Sequence, residues 1–277
     1  MNEHAKRSIL IHGLLMFALT SGLALGAVAA LAARGEFSYT PSPAVSAPYF
    51  LVLFFMATLA LLFALRVTKS GAIFAILFTI AMVSGAWFLA DIFLPGSLAL
   101  IVGSVVILAR FRWKKVAVLN LTMAIGIAGI SSSIAADLSL NAVLVILTVL
   151  AFYDIVAVYA TKHMVTMFRE LAARGSVFAF VLTPLEPKAL LGPVPEAGER
   201  ALFLGTGDVA MSVILAVSVA AGGLLKGVCV AIGAMIGFCL MFALFNRQGR
   251  RRPMPALPPI ALGSVLGYLI SFLLPLA

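Results

Sequence analysis

The sequence predicts an all-α, polytopic membrane protein with nine transmembrane helices, on three observations. The chain of 277 residues is 63% hydrophobic and 10% charged, with a mean hydropathy of +1.17, whereas soluble domains contain about 25% charged residues. Its apolar residues form runs close to the length of about 20 residues that a helix needs to span a bilayer. Its lysines and arginines are grouped between these runs, as orientation in a membrane requires.

Nine apolar runs are candidate spanning helices. They cover approximately residues 9–33, 49–65, 71–90, 97–109, 116–136, 140–160, 201–221, 227–246 and 256–276. The fourth run is short, but a turn-like segment, Asp91–Gly96, precedes it and a cationic segment, Arg110–Lys115, follows it, so it is retained as a span. The first run exceeds the apolar stretch of about 7–15 residues in a signal peptide, which predicts a retained helix.

The basic residues predict the orientation of the chain. If the amino terminus is cytoplasmic and successive spans alternate, every lysine and arginine except Arg34 and Lys226 lies on the cytoplasmic side. A missed or false span would destroy this asymmetry. We therefore expect a multi-pass cell-membrane protein with a cytoplasmic amino terminus and an extracellular carboxyl terminus. The net charge of +9 is spread over short loops and forms no continuous stripe, so no nucleic-acid partner is predicted.

The runs divide the chain into three regions: six helices in residues 1–160, a cytoplasmic loop in 161–200, and three helices in 201–277. The loop contains one apolar stretch, Ser176–Leu182, which is too short to span a membrane. Two interpretations of this stretch stay open. It is either an amphipathic segment docked on the surface or a plug over the functional site.

Several smaller patterns carry structural predictions. Three glycine pairs at GxxxG spacing predict close helix packing: Gly22 with Gly26, Gly233 with Gly237, and Gly263 with Gly267. Two cysteines in one apolar run predict free, buried thiols, because no second metal ligand lies near them: Cys229 and Cys239. Three histidines near helix ends are expected at the membrane interface rather than in catalysis: His4, His12 and His163.

Two aspartates, Asp154 and Asp208, lie inside the sixth and seventh apolar runs. A carboxylate in hydrocarbon costs roughly 2.5–3.5 kcal/mol on insertion scales, so it marks a functional site by default. Each lies eight residues from a basic residue at the cytoplasmic boundary, Lys162 or Arg200, which is about 12 Å at the rise of a helix. Because consecutive spans run antiparallel, equal depth lets the two carboxylates meet. The alternative is two unrelated buried acids, each satisfied locally.

Two carboxylates that share one site can hold a single proton, because both cannot ionise cheaply. One then activates water as a general base and its protonated partner donates to the scissile carbonyl, as in an aspartic protease. Gly205 and Gly207 would let an extended substrate backbone approach, with helix packing as the alternative. The prolines of Pro255–Pro259 predict non-helical backbone, or simply a helix start. The sequence contains no HExxH or phosphate-binding loop, so no metal or cofactor is predicted.

Together these motifs resemble those of the GxGD intramembrane aspartyl proteases, the presenilin and signal peptide peptidase family. The sequence has the YD motif at Tyr153-Asp154, the GxGD motif at Gly205–Asp208 and the PAL motif at Pro255–Leu257, in the family's order. The resemblance covers most of the chain and implies a presenilin-like fold with Asp154 and Asp208 as the catalytic pair. It implies a substrate-binding role for Tyr153, Gly205, Thr206, Gly207, Pro255, Ala256 and Leu257. The short loops and the orientation resemble an archaeal presenilin homologue.

The hypothesis is therefore an intramembrane aspartyl endopeptidase that hydrolyses peptide bonds within transmembrane helices of other proteins, surrounded by membrane lipid. The alternative is a proton- or cation-conducting transporter or leak channel, because paired intramembrane carboxylates also form ion relays. The PAL segment and the GxGD glycines favour proteolysis. The sequence leaves the native substrates, the cleavage-site preference and the oligomeric state open, a homo-oligomer included.

Overall fold

The computed structural model describes residues 3–35, 46–67, 72–161, 178–194, 201–248 and 253–273. These ranges contain ten α-helices and one two-stranded sheet. The helices are α1 (Glu3–Ala33), α2 (Ala47–Val67), α3 (Ala72–Asp91), α4 (Gly96–Arg112), α5 (Val116–Asp137), α6 (Leu140–Ile155), α7 (Pro187–Leu190), α8 (Thr206–Ala220), α9 (Leu224–Arg247) and α10 (Leu257–Ser271). The strands are β1 (Ala179–Leu182) and β2 (Leu202–Gly205).

The helices confirm the predicted all-α membrane fold. Every apolar run contains one helix, and α7 is a single short turn in the loop. Helices satisfy their own backbone hydrogen bonds, which is what a chain needs inside lipid. Five of the described helices are long and apolar enough to cross a bilayer: α1, α3, α5, α9, and α6 with the turn that follows it. The figure of nine crossings stays a prediction.

Helix α6 carries the first aspartate at its end. It begins after Ser139, whose side chain accepts a hydrogen bond of 3.2 Å from the N–H of Ala142, a favoured helix start. The helix continues directly into a π-helical turn, Val156–Ala160. π-Helical turns are rare in proteins as a whole, but those that occur are often found at functional sites. Asp154 therefore lies just before a change in helical pitch.

The seventh apolar run corrects the prediction of one continuous helix over 201–221. Residues Leu202–Gly205 form β2, and α8 begins only at Thr206. Strand β2 pairs antiparallel with β1, with Phe180 opposite Leu204 and Leu182 opposite Leu202. This pairing satisfies part of the strand backbone, as a helix would have done. A short apolar run does not distinguish the two outcomes by its pattern.

The apolar stretch of the loop forms a buried strand. Ser176 and Val177 lie outside the described residues, but Phe180, Val181 and Leu182 each have 0% exposure. The surface-docked interpretation is therefore wrong for the described part. Strand β1 lies against α1 and α5 and pairs with the segment that leads to Asp208.

Helix α8 forms the centre of the bundle. It is buried along nearly its whole length and lies against α1, α5, α6, α9 and α10. Helices α9 and α10 have the most extensive contact. A Cβ atom at Gly233 would clash with the carbonyl oxygen of Gly263, and one at Gly263 would clash with that of Gly233, which confirms the predicted close packing.

Two further sequence predictions have clear outcomes. A Cβ atom at Gly22 or Gly26 would meet no described atom within 4 Å, so the close packing predicted for this pair is wrong within the described chain. Both cysteines are free, as predicted, and both are half-buried. The glycine pair on α1 therefore differs from the pairs on α9 and α10, although the spacing is the same.

Candidate active site

Asp154 is held by the start of the last helix. Its carboxyl group is buried, with 5% exposure, and Oδ2 accepts a 3.2 Å hydrogen bond from the N–H of Leu257, the first residue of α10. Pro258 and Pro259 follow and have no N–H to donate. Donors at this helix start are therefore concentrated just before the prolines. A helix amino terminus also carries partial positive charge, which stabilises a nearby carboxylate.

The PAL segment supplies this contact through its backbone. Residues 253–256 are non-helical, as predicted, and Pro255 is buried. The backbone of Ala256 also lies close enough to the Asp154 carboxyl group to interact with it electrostatically. The protein thus buries Pro255 within this segment, and the N–H of Leu257 bonds to Asp154. Contact of this segment with a substrate remains a prediction.

Asp208 lies at a junction between a strand and a helix. It is the third residue of α8 and is half-buried. Gly205 is the residue that precedes the helix, and a Cβ atom built on it would lie 2.7 Å from Oδ2 of Asp208. The aspartate side chain therefore folds back over Gly205. Only glycine leaves the space that this position of the carboxyl group needs.

Gly207 has a different environment. It is exposed, and a Cβ atom there would meet no described atom within 4 Å. Among the described residues, the atoms nearest to a Cβ atom built on Gly205 belong to Asp208, and none lies within 4 Å of one built on Gly207, which argues against close helix packing as the role of the motif. One glycine accommodates the carboxyl group of Asp208, and the other leaves an open face beside it.

The structure places the two carboxyl groups on neighbouring helices. Helices α6 and α8 are in contact, and Asp154 lies close enough for its charge to act on the carboxyl group of Asp208. The sequence predicted that the two residues would meet, but its argument from equal depth assumed a helix over residues that form β2, so their depth in the membrane stays a prediction. The pair combines one carboxyl group that accepts backbone hydrogen bonds with one that lies beside an open face.

Two further motif residues connect the pair to neighbouring elements. The ring of Tyr153 makes edge-on contacts with Phe54 and Phe55 of α2, at centroid distances of 6.1 and 5.2 Å. The hydroxyl of Thr206 donates a 3.3 Å hydrogen bond to the carbonyl of Phe178, just before β1. Tyr153 thus links α6 to α2, and Thr206 links α8 to the strand.

Sequence reasoning did not predict the contacts that two polar residues make with the segment around β1. Asn120 and His12 are buried, with 1% and 2% exposure, and both bond to the backbone at β1. His12 is therefore enclosed by protein within α1, and its depth relative to the membrane interface stays a prediction. The available signal was the side-chain amide of Asn120 within an apolar helix, because such groups in membrane spans usually bond to another element. Among the described residues, no group of three His, Cys, Asp or Glu side chains could hold a metal.

The comparisons with known proteins agree with this architecture. The family model described as "Signal-peptide peptidase, presenilin aspartyl protease" matches residues 14–276. Two solved structures of a presenilin family intramembrane aspartate protease, in space groups C222 and P2, match at 22% identity with TM-scores of 0.64 and 0.63. The first match covers 94% of this chain and 96% of that one, and the second covers 95% and 96%. No curated protein matches the chain.

The chain is therefore an integral, multi-pass membrane protein with the presenilin fold. It belongs to the signal peptide peptidase and presenilin family of aspartyl proteases.

Proposed function

We propose that the protein is an intramembrane aspartyl endopeptidase that hydrolyses peptide bonds within transmembrane helices of other membrane proteins. Asp154 and Asp208 are the catalytic residues of this proposal. The observation that carries it is the meeting of two carboxyl groups on the apolar helices α6 and α8. Placing two carboxyl groups together among apolar helices costs free energy of folding, and a catalytic role for the pair explains why both acids are present.

The hydrogen bonds suggest different roles for the two acids. Backbone N–H groups stabilise a carboxylate rather than a carboxylic acid, and Asp154 accepts such a bond from Leu257. We assign Asp154 the role of general base, which takes a proton from water as the oxygen attacks the scissile carbonyl. Asp208 donates its proton to the carbonyl oxygen. In the second step Asp154 gives its proton to the leaving nitrogen, the C–N bond breaks, and a hydroxyl proton of the intermediate returns to Asp208.

A helical substrate must unwind before this chemistry begins, because its carbonyl groups are already bonded within the helix. The segments Gly205–Asp208 and Pro255–Pro258 supply backbone with which the unwound stretch would pair as an added strand. Gly207 leaves the face beside Asp208 open for its approach. A reporter span with Gly or Pro near the cut should be cleaved faster than an all-Leu span. Equal rates would count against unwinding as a required step.

The test of the proposal is cleavage of a transmembrane reporter helix by purified protein, with mass spectrometry of the products. Asp154→Asn and Asp208→Asn should each lower the rate by about 10²–10⁴-fold, because each removes one acid–base group. Asp137→Asn is the matched control, since Asp137 is an exposed acid at the end of α5. Full activity in either of the first two variants would exclude the pair as the catalytic centre.

The same variants separate proteolysis from ion conduction. The protein is placed in liposomes, and both reporter cleavage and ion flux are measured. We expect cleavage that depends on Asp154 and Asp208. Flux that is lost in Asp208→Asn, with no cleavage by the unmodified protein, would favour the proton or cation relay instead.

We further propose that the amino terminus is cytoplasmic and the carboxyl terminus extracellular, from the distribution of lysines and arginines. Ser46 precedes α2 and Lys188 lies in α7, and both are exposed. In a variant without Cys229 and Cys239, an impermeant thiol reagent should label Ser46→Cys in intact cells. It should label Lys188→Cys only after permeabilisation. Labelling of both from the same side would contradict the orientation.

A further inference from the structure

The outer edge of strand β1 is occupied by side chains rather than by a strand. In an antiparallel pair, alternate residues direct both backbone groups to the partner strand and the others direct them away. Val181 donates its N–H to Oδ1 of Asn120 at 2.9 Å, and its carbonyl accepts from Nδ2 of the same side chain at 2.8 Å. Val181 therefore faces away from β2, and one amide side chain satisfies both of its backbone groups.

Two side chains of α1 continue this pattern beyond the strand. Nδ1 of His12 lies 2.9 Å from the carbonyl oxygen of Thr183, and Oγ of Ser8 accepts a 2.7 Å hydrogen bond from the N–H of Leu185. The bonded backbone positions, 181, 183 and 185, alternate as one edge of a strand does. Asn120, His12 and Ser8 thus stand where the backbone of a third strand would lie.

The two buried members of this edge are also bonded to each other. Nδ2 of Asn120 lies 3.1 Å from Nε2 of His12. The bond from Val181 to Oδ1 fixes which way the amide points, and an amide nitrogen can only donate. Nε2 therefore accepts, which assigns the proton of a neutral imidazole to Nδ1. Nδ1 lies 2.9 Å from the carbonyl oxygen of Thr183 and 3.3 Å from the N–H of the same residue, and with this tautomer the shorter contact is the hydrogen bond. Each side chain depends on the other for its orientation.

We propose that Asn120 and His12 are positioning residues for peptide-bond cleavage. The proposal rests on the catalytic pair proposed above. In this proposal neither residue touches the substrate. They fix β1 against α5 and α1, and β1 fixes β2 through the register that places Phe180 opposite Leu204. The next residue along β2, Gly205, is the one over which the Asp208 carboxyl group folds.

A second contact also fixes α8 relative to β1. The hydroxyl of Thr206 bonds to the carbonyl of Phe178 at 3.3 Å, so the first residue of α8 is attached to the residue before β1. A shift of β1 would move Asp208 through both routes. A misplacement of about 1 Å at a catalytic group can cost 10²-fold in rate. The polar edge therefore sets the position of one acid while the other is held from α10.

The test compares variants of the polar edge with matched variants on the same helices. Asn120→Leu removes both bonds to Val181, and Asn120→Asp keeps an acceptor but leaves at most one O–H donor for the two acceptors that the amide serves. His12→Leu removes the bond to Thr183, whereas His12→Asn retains an N–H donor near the position of Nδ1. Thr122→Val on α5 and Thr20→Val on α1 are the controls. Both threonines are buried, and each donates its hydroxyl hydrogen bond to carbonyls of its own helix.

We expect kcat to fall at least about 30-fold in Asn120→Leu and Asn120→Asp, with KM within about threefold of its original value, because geometry and not substrate contact is lost. His12→Asn should be about tenfold more active than His12→Leu. Amide hydrogen exchange of residues 179–185 should accelerate in the impaired variants, with exchange in α8 unchanged. Both threonine controls should stay within about twofold in kcat.

Several outcomes would overturn the proposal. These are an unchanged kcat in the Asn120 variants, a rise in KM alone, equal activity of the two His12 variants, or an equal loss in a threonine control. If Asn120→Leu does not fold, Asn120→Asp and the His12 pair decide the question. Failure of the proposed function is recognised separately, because the unmodified protein would then not cleave, or its cleavage would survive Asp208→Asn.

Discussion

The two acids of the site are held in opposite ways. Asp154 lies within the last turn of α6, is almost inaccessible, and is bonded to the backbone at the start of α10. Asp208 lies in the first turn of α8 and follows a strand instead of a helix; the residue keeps some exposure although its carboxyl group is enclosed. One side of the site is thus contributed by α6 and α10. The other side depends on β2 and on two glycines.

The proposed function requires a site that exists in a membrane and still admits a peptide, and the difference between the two sides bears on this requirement. Non-helical backbone in lipid is tolerated only where protein covers it or where it lines a cavity. The PAL backbone is covered and is used to hold Asp154. The GxGD backbone is paired with β1 on one side and exposed at Gly207 on another. We infer that a substrate approaches from the Asp208 side, and the predictions below test this asymmetry.

The largest effect is expected at Gly205. Its backbone angles, φ −56° and ψ 134°, are accessible to any residue, so Gly205→Ala should not disturb the fold. The new Cβ atom would lie 2.7 Å from Oδ2 of Asp208, and the flexible carboxyl group would move away from it. We expect kcat to fall by about 10²-fold with little change in thermal stability. A variant with normal kcat would show that Asp208 does not need this position.

The sequence predicted one side of the site better than the other. Asp154 and Asp208 were recognisable because an ionisable residue inside an apolar run has few explanations other than function. The strand before Asp208 was not recognisable, because the apolar residues Leu202, Phe203 and Leu204 fit the start of a spanning helix equally well. Pairing with β1 decided the outcome, and β1 comes from a loop some twenty residues away in the sequence.

The PAL motif illustrates a second limit of sequence reasoning. Its prolines predicted irregular backbone at the right place, and residues 253–256 are non-helical. Nothing in the spacing indicated that the Leu257 N–H would bond to Asp154, because Asp154 lies 103 residues earlier in the chain. The hydrogen bonds of Asn120 and His12 to the backbone at β1 were hidden for the same reason. Local patterns predict elements, whereas these contacts are properties of the packed bundle.

The next prediction concerns the pH dependence of cleavage, which tests whether Asp154 and Asp208 share one proton. A pair that is active with one proton titrates in two macroscopic steps, which belong to the pair and not to either residue. Activity should therefore fall on both sides of an optimum, by about tenfold per pH unit in each limb. The measurement is cleavage rate against pH in detergent, with a parallel check that the fold persists. A rate that rises steadily into the alkaline range would rule out a required proton on Asp208.

A smaller effect is expected on the Asp154 side, at Tyr153. Its ring contacts Phe54 and Phe55 of α2 edge-on, and such pairs contribute about 0.5–1.5 kcal/mol. Tyr153→Leu should loosen the contact between α2 and α6 and raise KM a few-fold while kcat changes less. Tyr153→Phe keeps the ring and should preserve KM, and Phe55→Leu should resemble Tyr153→Leu. A large loss of kcat in Tyr153→Phe would instead indicate that the hydroxyl takes part in the chemistry.

The smallest effect is expected at Gly207, the neighbour of Gly205 in the motif. A Cβ atom at Gly207 would meet no described atom within 4 Å, and alanine favours a helix over glycine by about 0.5–1 kcal/mol. Gly207→Ala should therefore raise thermal stability slightly and leave kcat nearly unchanged. Because the methyl group would project into the face by which we infer that the substrate approaches, KM should rise about two- to fivefold. Measuring kcat and KM of Gly205→Ala and Gly207→Ala with one reporter tests directly whether the two glycines have different roles. If Gly207→Ala leaves KM unchanged for a bulky reporter, the open face is not the route of the substrate. If it lowers kcat as far as Gly205→Ala does, the two glycines share one role, and the distinction between them is wrong.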